Sequence, residues 1–272
     1  QSPKKSLRGQ KINKTPVHLI SNKLKLKVRT SSLDSKEEYE YFKSLKPFIV
    51  IVVAFGQIIP KKYLNLSEMG FINVHASLLP KWRGAAPIQR SIINQDKETG
   101  ISIMKIEEGL DTGPYMKQIK VKIDNQTTTK SLSKKLSELA AKNIIESINL
   151  IEKGEEKFIK QDNSLATYAK KIKKSEAKII WHQKASEILS KINALNPSLG
   201  AWFDYKGFRY KIWKAEISSH KGQPGTVVNE TLTIACEDSS IKVLEIQKEG
   251  KNKLTIDNFI IGMKIPKGTK II

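Results

Sequence analysis

The stretch GFINVHASLLPKWRGAAPIQR, residues 70–90, decides the fold. Its first seven residues are apolar and β-branched apart from Asn73 and His75, which predicts a strand buried on both faces. Asn73 and His75 stand two positions apart and so share one face of that strand. Leu78-Leu79-Pro80 and Trp82-Arg83-Gly84 then read as a rigid turn. AAPIQRSIINQ (85–95) follows as a helix with Pro87 in its first turn, where a missing N–H is tolerated.

Working outward, FIVIVVAF (48–55) predicts a second parallel strand covered on both sides, with one or two helical turns at PKKYLNL between the two. SKEEYEYFKSL (35–45) reads as a short helix opened by Ser35 and acids, and KLKLKVRT (23–30) as a half-exposed strand. TGISIMKIEEGLDTGPYMKQIKVKI (99–123) predicts two strands around a Gly-Leu-Asp-Thr-Gly turn. From Thr127 to Lys153, Leu132, Leu136, Leu139, Ile144, Ile148 and Ile151 fall on one helical face, and Gly154 ends the helix. Strands alternating with helices over short links predict a doubly wound, Rossmann-like α/β sheet.

Residues 155–178 are polar, lysine-rich and aperiodic, so they read as a linker between a domain at 1–154 and another at 179–272. Ala185, Ile188, Leu189, Ile192 and Leu195 mark one more helix, stopped by Pro197. The short strands of AWFDYKGFRYKIWKAEI, GTVVNETLTIAC and SIKVLEIQ then predict a small β-barrel, OB-like in size.

With 39% hydrophobic and 28% charged residues the chain has the balance of a globular protein. No run approaches the ~18 apolar residues of a membrane span. A single cysteine, Cys236, excludes an internal disulfide and fits a reducing cytoplasm. The net charge is +21. Lysine supplies nearly all the cations, since arginine occurs only as Arg8, Arg29, Arg83, Arg90 and Arg209. A lysine-heavy composition accounts for part of this, but residues 1–30 hold nine basic residues and no acid, and KKIKK (170–174) is a second cluster. Such clusters in a diffuse positive field point to a polyanion, most plausibly nucleic acid. The four histidines are scattered and no Cys/His cluster exists, so no metal is expected.

In open α/β sheets ligands bind beyond the carboxyl ends of the strands. Asn73 and His75, Phe55-Gly56 and Asp111 all come to such ends. A neutral histidine can take a proton from an ammonium, a carboxylate beside it stabilises the imidazolium, and an asparagine amide can donate to an oxyanion. The set suits acyl transfer by direct amine attack, since neither Cys236 nor Ser77 stands in a nucleophile's context. Taken singly, each residue has a plain structural reading: a strand-end histidine, a turn aspartate that caps its own backbone.

NVHASLLPKWRGAAPIQR together with EEGLDTG resembles the formyltransferases that use 10-formyltetrahydrofolate. The likeness runs on through VVAFGQIIP, ATYAKKI and NPSLGAWF. Within the family it is nearest to the branch whose acceptor is the methionine carried by initiator tRNA. The resemblance implies a catalytic trio of Asn73, His75 and Asp111, and a folate site at Ser77, Leu78, Leu79 and Pro80. Phe55, Gly56, Ile58, Glu107 and Leu110 would line its pteridine pocket. It makes KKSLRGQK (4–11) a loop for the tRNA acceptor arm, with Arg8 selecting the initiator and Lys4, Lys5 and Lys11 on phosphate; Lys170 and Lys171 join them. A monomer is expected. Arg83 either contacts the substrate or braces its turn. Two rival readings are a formyltransferase for a small amine such as an amino sugar, and a noncatalytic RNA-binding relative.

The family pattern also carries, upstream of the basic loop, a strand and a Gly-Thr-Pro-x-Phe turn not seen here, about thirty residues or one βαβ unit. Without that piece the expectation is an unpaired strand edge and an open core.

Overall fold

The computed structural model describes residues 1–6 and 11–271. The basic start is not a plain loop: β1 (Lys4–Ser6) and β2 (Lys11–Asn13) pair antiparallel, with Lys4 opposite Asn13. Helix α1 (Pro16–Lys23) is capped by Thr15, whose side chain accepts from the His18 amide. The half-exposed strand expected at 23–30 does not form. Lys23 ends helix α1, Lys25 is left-handed at φ +56°, and among the described residues 26–30 pair with no strand. Helix α2 (Lys36–Ser44) starts on Ser35, which accepts from the Glu38 amide. Its Phe42 packs on Tyr63 and Phe71.

Strand β3 (Val50–Val52) runs parallel to β4 (Phe71–His75), with Val50 opposite Phe71 and α3 (Lys61–Leu64) between them. The eight-residue strand expected at 48–55 shrinks to three residues because Ala54 (φ +48°) and Gly56 (φ +68°) turn the chain. Nor is it covered on both faces: β3 is the outer strand among the described residues, and Ile51 and Val53 are 36% and 52% exposed. Past β4 come β5 (Arg83–Gly84), α4 (Pro87–Ile93), β6 (Glu98–Lys105) and β7 (Tyr115–Lys122). The sheet order is β3-β4-β6-β7, and β6 and β7 run antiparallel. Helix α5 (Thr129–Lys153) opens on a Thr128 capping box and closes on left-handed Gly154. Its Leu132, Leu136 and Ile151 bury against Ile72, Ile101 and Ile103 of the sheet.

The 155–178 segment is anchored rather than free. Its strand β8 (Tyr168–Ala169) pairs parallel with β5. Helix α6 (Ala185–Leu195) then leads into β9 (Ala201–Tyr205), β10 (Phe208–Ser218), β11 (Thr233–Ala235), β12 (Ser240–Lys248), β13 (Leu254–Thr255) and α7 (Ile256–Gly262). These strands form one curled antiparallel sheet in the order β11-β12-β10-β9, with β13 on β12. Its concave side buries Phe203, Tyr210, Ile212, Ile234 and Ile246 against Ile188 and Ile192 of α6. Hydrogen bonds join the halves: Thr129 Oγ1 donates to the Ala194 carbonyl at 2.7 Å, and Asn193 Nδ2 to that of Asn125 at 2.8 Å.

Candidate active site

Strand β4 is interior to the sheet, so its carboxyl end is held on both sides: Asn73 pairs with Val52 and Met104, and His75 with Ser102. Asn73 is half-buried and His75 is 6% exposed. The turn that follows is bonded inside and out. Ser77 Oγ donates to the Lys81 carbonyl at 2.5 Å, and Ser102 Oγ donates to the Ser77 carbonyl while accepting from the Leu79 amide. Gln118 Nε2 donates to the Leu79 carbonyl at 2.7 Å. Leu79-Pro80 is a cis peptide.

The turn then doubles back on the histidine. Trp82, left-handed at φ +62°, brings its carbonyl 2.9 Å from His75 Nε2. A carbonyl only accepts, so Nε2 carries a proton, and whenever the ring is neutral its lone pair lies on Nδ1. That nitrogen faces Asp111 Oδ2 at 3.6 Å. Asp111 comes from the β6–β7 turn, itself left-handed at φ +52°. Its carboxylate accepts from the Gly84 amide at 2.7 Å. Gly113 must be glycine here, because a Cβ would sit 1.9 Å from the Lys105 carbonyl oxygen. The sequence places the carboxylate beside the imidazole, where it can stabilise the imidazolium. The pairing is present, but the tautomer is set by the Trp82 carbonyl, a backbone group seven residues from His75.

Arg83 is a brace. It is 2% exposed, and its guanidinium donates to Gln161 Oε1 through Nε (3.0 Å) and Nη2 (2.7 Å), and to Asn163 Oδ1 through Nη2 (2.8 Å).

The residues expected around the folate divide in two. Ser77 and Leu79 are buried and frame the turn. Leu78 and Pro80 are half-buried beside them. Ile58 is 83% and Leu110 54% exposed, with Phe55 half-buried and Gly56 and Glu107 exposed at the same strand ends. A cavity of about 590 Å³ lies on the far side of Trp82, lined by Arg90, Tyr168, Lys170, Lys171 and Lys173 among others and by none of the trio. Of the tRNA candidates, Lys170 and Lys171 thus border this cavity, while Lys4, Lys5 and Lys11 are placed by backbone pairing in the hairpin. Arg8 lies outside the described residues. Among the described residues no group of three His, Cys, Asp or Glu is gathered for a metal.

One surface escaped the sequence reading. On the outer face of β9 and β10, Arg209 lies 3.8 Å over the Trp202 ring, with Lys211 5.5 Å from Trp213; on the other face, at the open end of the sheet, Lys248 of β12 lies 3.8 Å over Phe208. The interleaved aromatics and cations of AWFDYKGFRYKIWK were the available signal. Cys236 is no nucleophile: burial pushes its thiol up to about 12.

Comparison with known proteins agrees with this geometry. Residues 1–148 match the formyl transferase family and residues 171–264 the formyl transferase C-terminal domain. The methionyl-tRNA formyltransferase of Pelagibacter ubique is 52% identical, the match covering 100% of this chain and 88% of the relative. That of Paramagnetospirillum magneticum is 39% identical over 99% and 89%. Among solved structures, the N-formyltransferase of Helicobacter canadensis in complex with folinic acid and dTDP-3-aminofucose superposes with a TM-score of 0.69 at 22% identity, over 89% of this chain and 85% of that one. HypX from Aquifex aeolicus in complex with tetrahydrofolic acid gives 0.66 at 17%, over 88% and 44%. These two likenesses concern the fold. The two family matches and the full-length relatives agree, and the chain belongs to the formyl transferase family, in its methionyl-tRNA formyltransferase branch.

Proposed function

We propose that the chain moves a formyl group from 10-formyltetrahydrofolate, a co-substrate, to the α-amine of methionine esterified to initiator tRNA. The observation that carries the mechanism is the His75–Asp111 pair, with Nε2–H spent on the Trp82 carbonyl and Nδ1 left basic. The free amine attacks the formyl carbon and a C–N bond forms. Asn73 donates to the oxyanion of the tetrahedral adduct. His75 Nδ1 takes the proton released from the attacking nitrogen, and Asp111 stabilises the imidazolium. Collapse of the adduct breaks the bond to the folate nitrogen, which leaves with a proton. No covalent enzyme intermediate is needed.

The exposed apolar side chains Ile58 and Leu110 suit one face of a pteridine, with Glu107 available to its ring N–H groups. The basic hairpin, Lys170 and Lys171, and the Arg209/Trp202 face of the second half supply phosphate contacts and stacking surfaces for RNA. In this reading residues 1–154 are the catalytic domain, 155–178 the connection and 179–272 the tRNA-binding domain, working as a cytoplasmic monomer. Among the described residues no helix is long and apolar enough to cross a membrane.

The test is to count formylmethionine on initiator and elongator methionyl-tRNA, with 10-formyltetrahydrofolate, beside the His75→Ala variant and an amino-sugar acceptor. Formylation of the initiator alone, lost in the variant, supports the reading. Product on the amino sugar and none on tRNA would replace it.

A further inference from the structure

Outside the trio, the side chain most engaged with the catalytic turn belongs to Gln161, in the stretch between the two family matches. Its amide makes four hydrogen bonds. Oε1 accepts two from Arg83, at 3.0 and 2.7 Å, and Nε2 donates to the carbonyls of Asp111 at 2.8 Å and Gly113 at 2.6 Å. A guanidinium only donates and a carbonyl only accepts, so both the orientation of the amide and its need to be an amide are set by its neighbours. The turn it holds needs holding: Asp111 has φ +52°, a conformation an L residue keeps only where its surroundings enforce it.

The same segment reaches the other partner of the pair. Thr167 Oγ1 accepts from the Trp82 amide at 2.9 Å and its carbonyl from the Arg83 amide at 2.8 Å. Trp82 in turn presents the carbonyl that takes the His75 Nε2 proton. Aspartate and histidine are thus each fastened, at one remove, to residues 161–167.

We infer that Gln161 is a positioning residue for the His75–Asp111 pair. It fixes the turn so that the carboxylate faces Nδ1, and through it the connection between the halves becomes part of the catalytic apparatus. This rests on the reading of His75 and Asp111 as the reacting pair. The competing explanation is that Gln161 only satisfies the buried charge of Arg83.

Gln161→Glu separates the two. It keeps an acceptor for Arg83, now an ion pair, but removes both donors to the turn and sets an anionic oxygen against two carbonyls. A positioning role predicts that kcat falls about 10- to 100-fold, while KM for methionyl-tRNA stays within about threefold and the protein remains folded at the assay temperature. Gln161→Ala should lower kcat similarly. Asn163→Ala, which takes a partner from Arg83 and nothing from the turn, should lower the melting temperature and leave kcat within about threefold. A Gln161→Glu enzyme with wild-type kcat would overturn the inference, whether or not Gln161→Ala folds. His75→Ala runs alongside. If it is still active, the fault lies with the reacting pair; if it is dead while Gln161→Glu is unimpaired, only the role of Gln161 falls.

Discussion

The two ends of the chain use similar apolar residues and bury them very differently. Near the start, helix α1 buries none of its residues, Val17 and Leu19 are 66% and 58% exposed, and the outer strand β3 shows Ile51 and Val53 to solvent. In the second half Phe203, Ile212, Ile234, Ile241 and Ile246 are wholly inaccessible. The difference is one of layers. The curled sheet closes its concave side over α6, whereas β3 has a neighbour on one side only among the described residues. Apolar character predicts that a segment wants to be covered; whether it is covered depends on a second surface. The candidate site is built on the interior strand β4, which has a neighbour on each side, and its candidate folate contacts Phe55 and Ile58 come from the thinly covered edge.

The comparison can be pressed experimentally. The largest effect is expected at the covered strand: His75→Ala or Asp111→Ala should cut turnover about 10²- to 10⁴-fold, with tRNA affinity in a filter-binding assay nearly unchanged. Next is the core of the second half, where Phe203→Ala should cost about 3–5 kcal/mol in denaturant unfolding. There Cys236 serves as a reporter: with its thiol near 12 by burial, it should resist thiol reagents at pH 8 until this half opens, and Phe203→Ala should speed its modification. Rapid labelling of the native protein would contradict the packing described for this half. A smaller effect is expected on its outer face. Arg209→Ala should weaken initiator and elongator tRNA alike by a few-fold, and lower the slope of log affinity against log salt by about 1. The smallest belongs to the edge: Ile51→Ser should change stability by no more than about 0.5 kcal/mol. A loss of several kcal/mol there would show that β3 is covered in solution, and the contrast between the two ends would collapse.

Much of this was legible locally. Pro87, Ser35, Thr128 and Gly154 mark helix ends through their own backbone chemistry, and the 3.6-residue stripe of α5 and the β-branched run of β4 needed no knowledge of the rest of the chain. The strand expected at 23–30 does not form: helix α1 takes Lys23, Lys25 turns left-handed, and alternation alone does not hold an extended chain. FIVIVVAF was overextended for a related reason: its composition spoke for burial, but the left-handed turns at Ala54 and Gly56 ended the strand early.

The sequence by itself determined where the candidate residues stand, since Asn73, His75 and Asp111 sit at a strand end and in a turn that local patterns foretell. Only the tertiary structure decided how they are held. The tautomer of His75 hangs on the Trp82 carbonyl, the buried charge of Arg83 on Gln161 and Asn163, and the Asp111 turn on the same Gln161 amide, 50 residues along the chain. Secondary structure follows from groups a few bonds apart, and sequence pattern records it. Hydrogen bonds across tens of residues form only once the sheet and the returning segment have set their distance, and no spacing in the sequence encodes that distance.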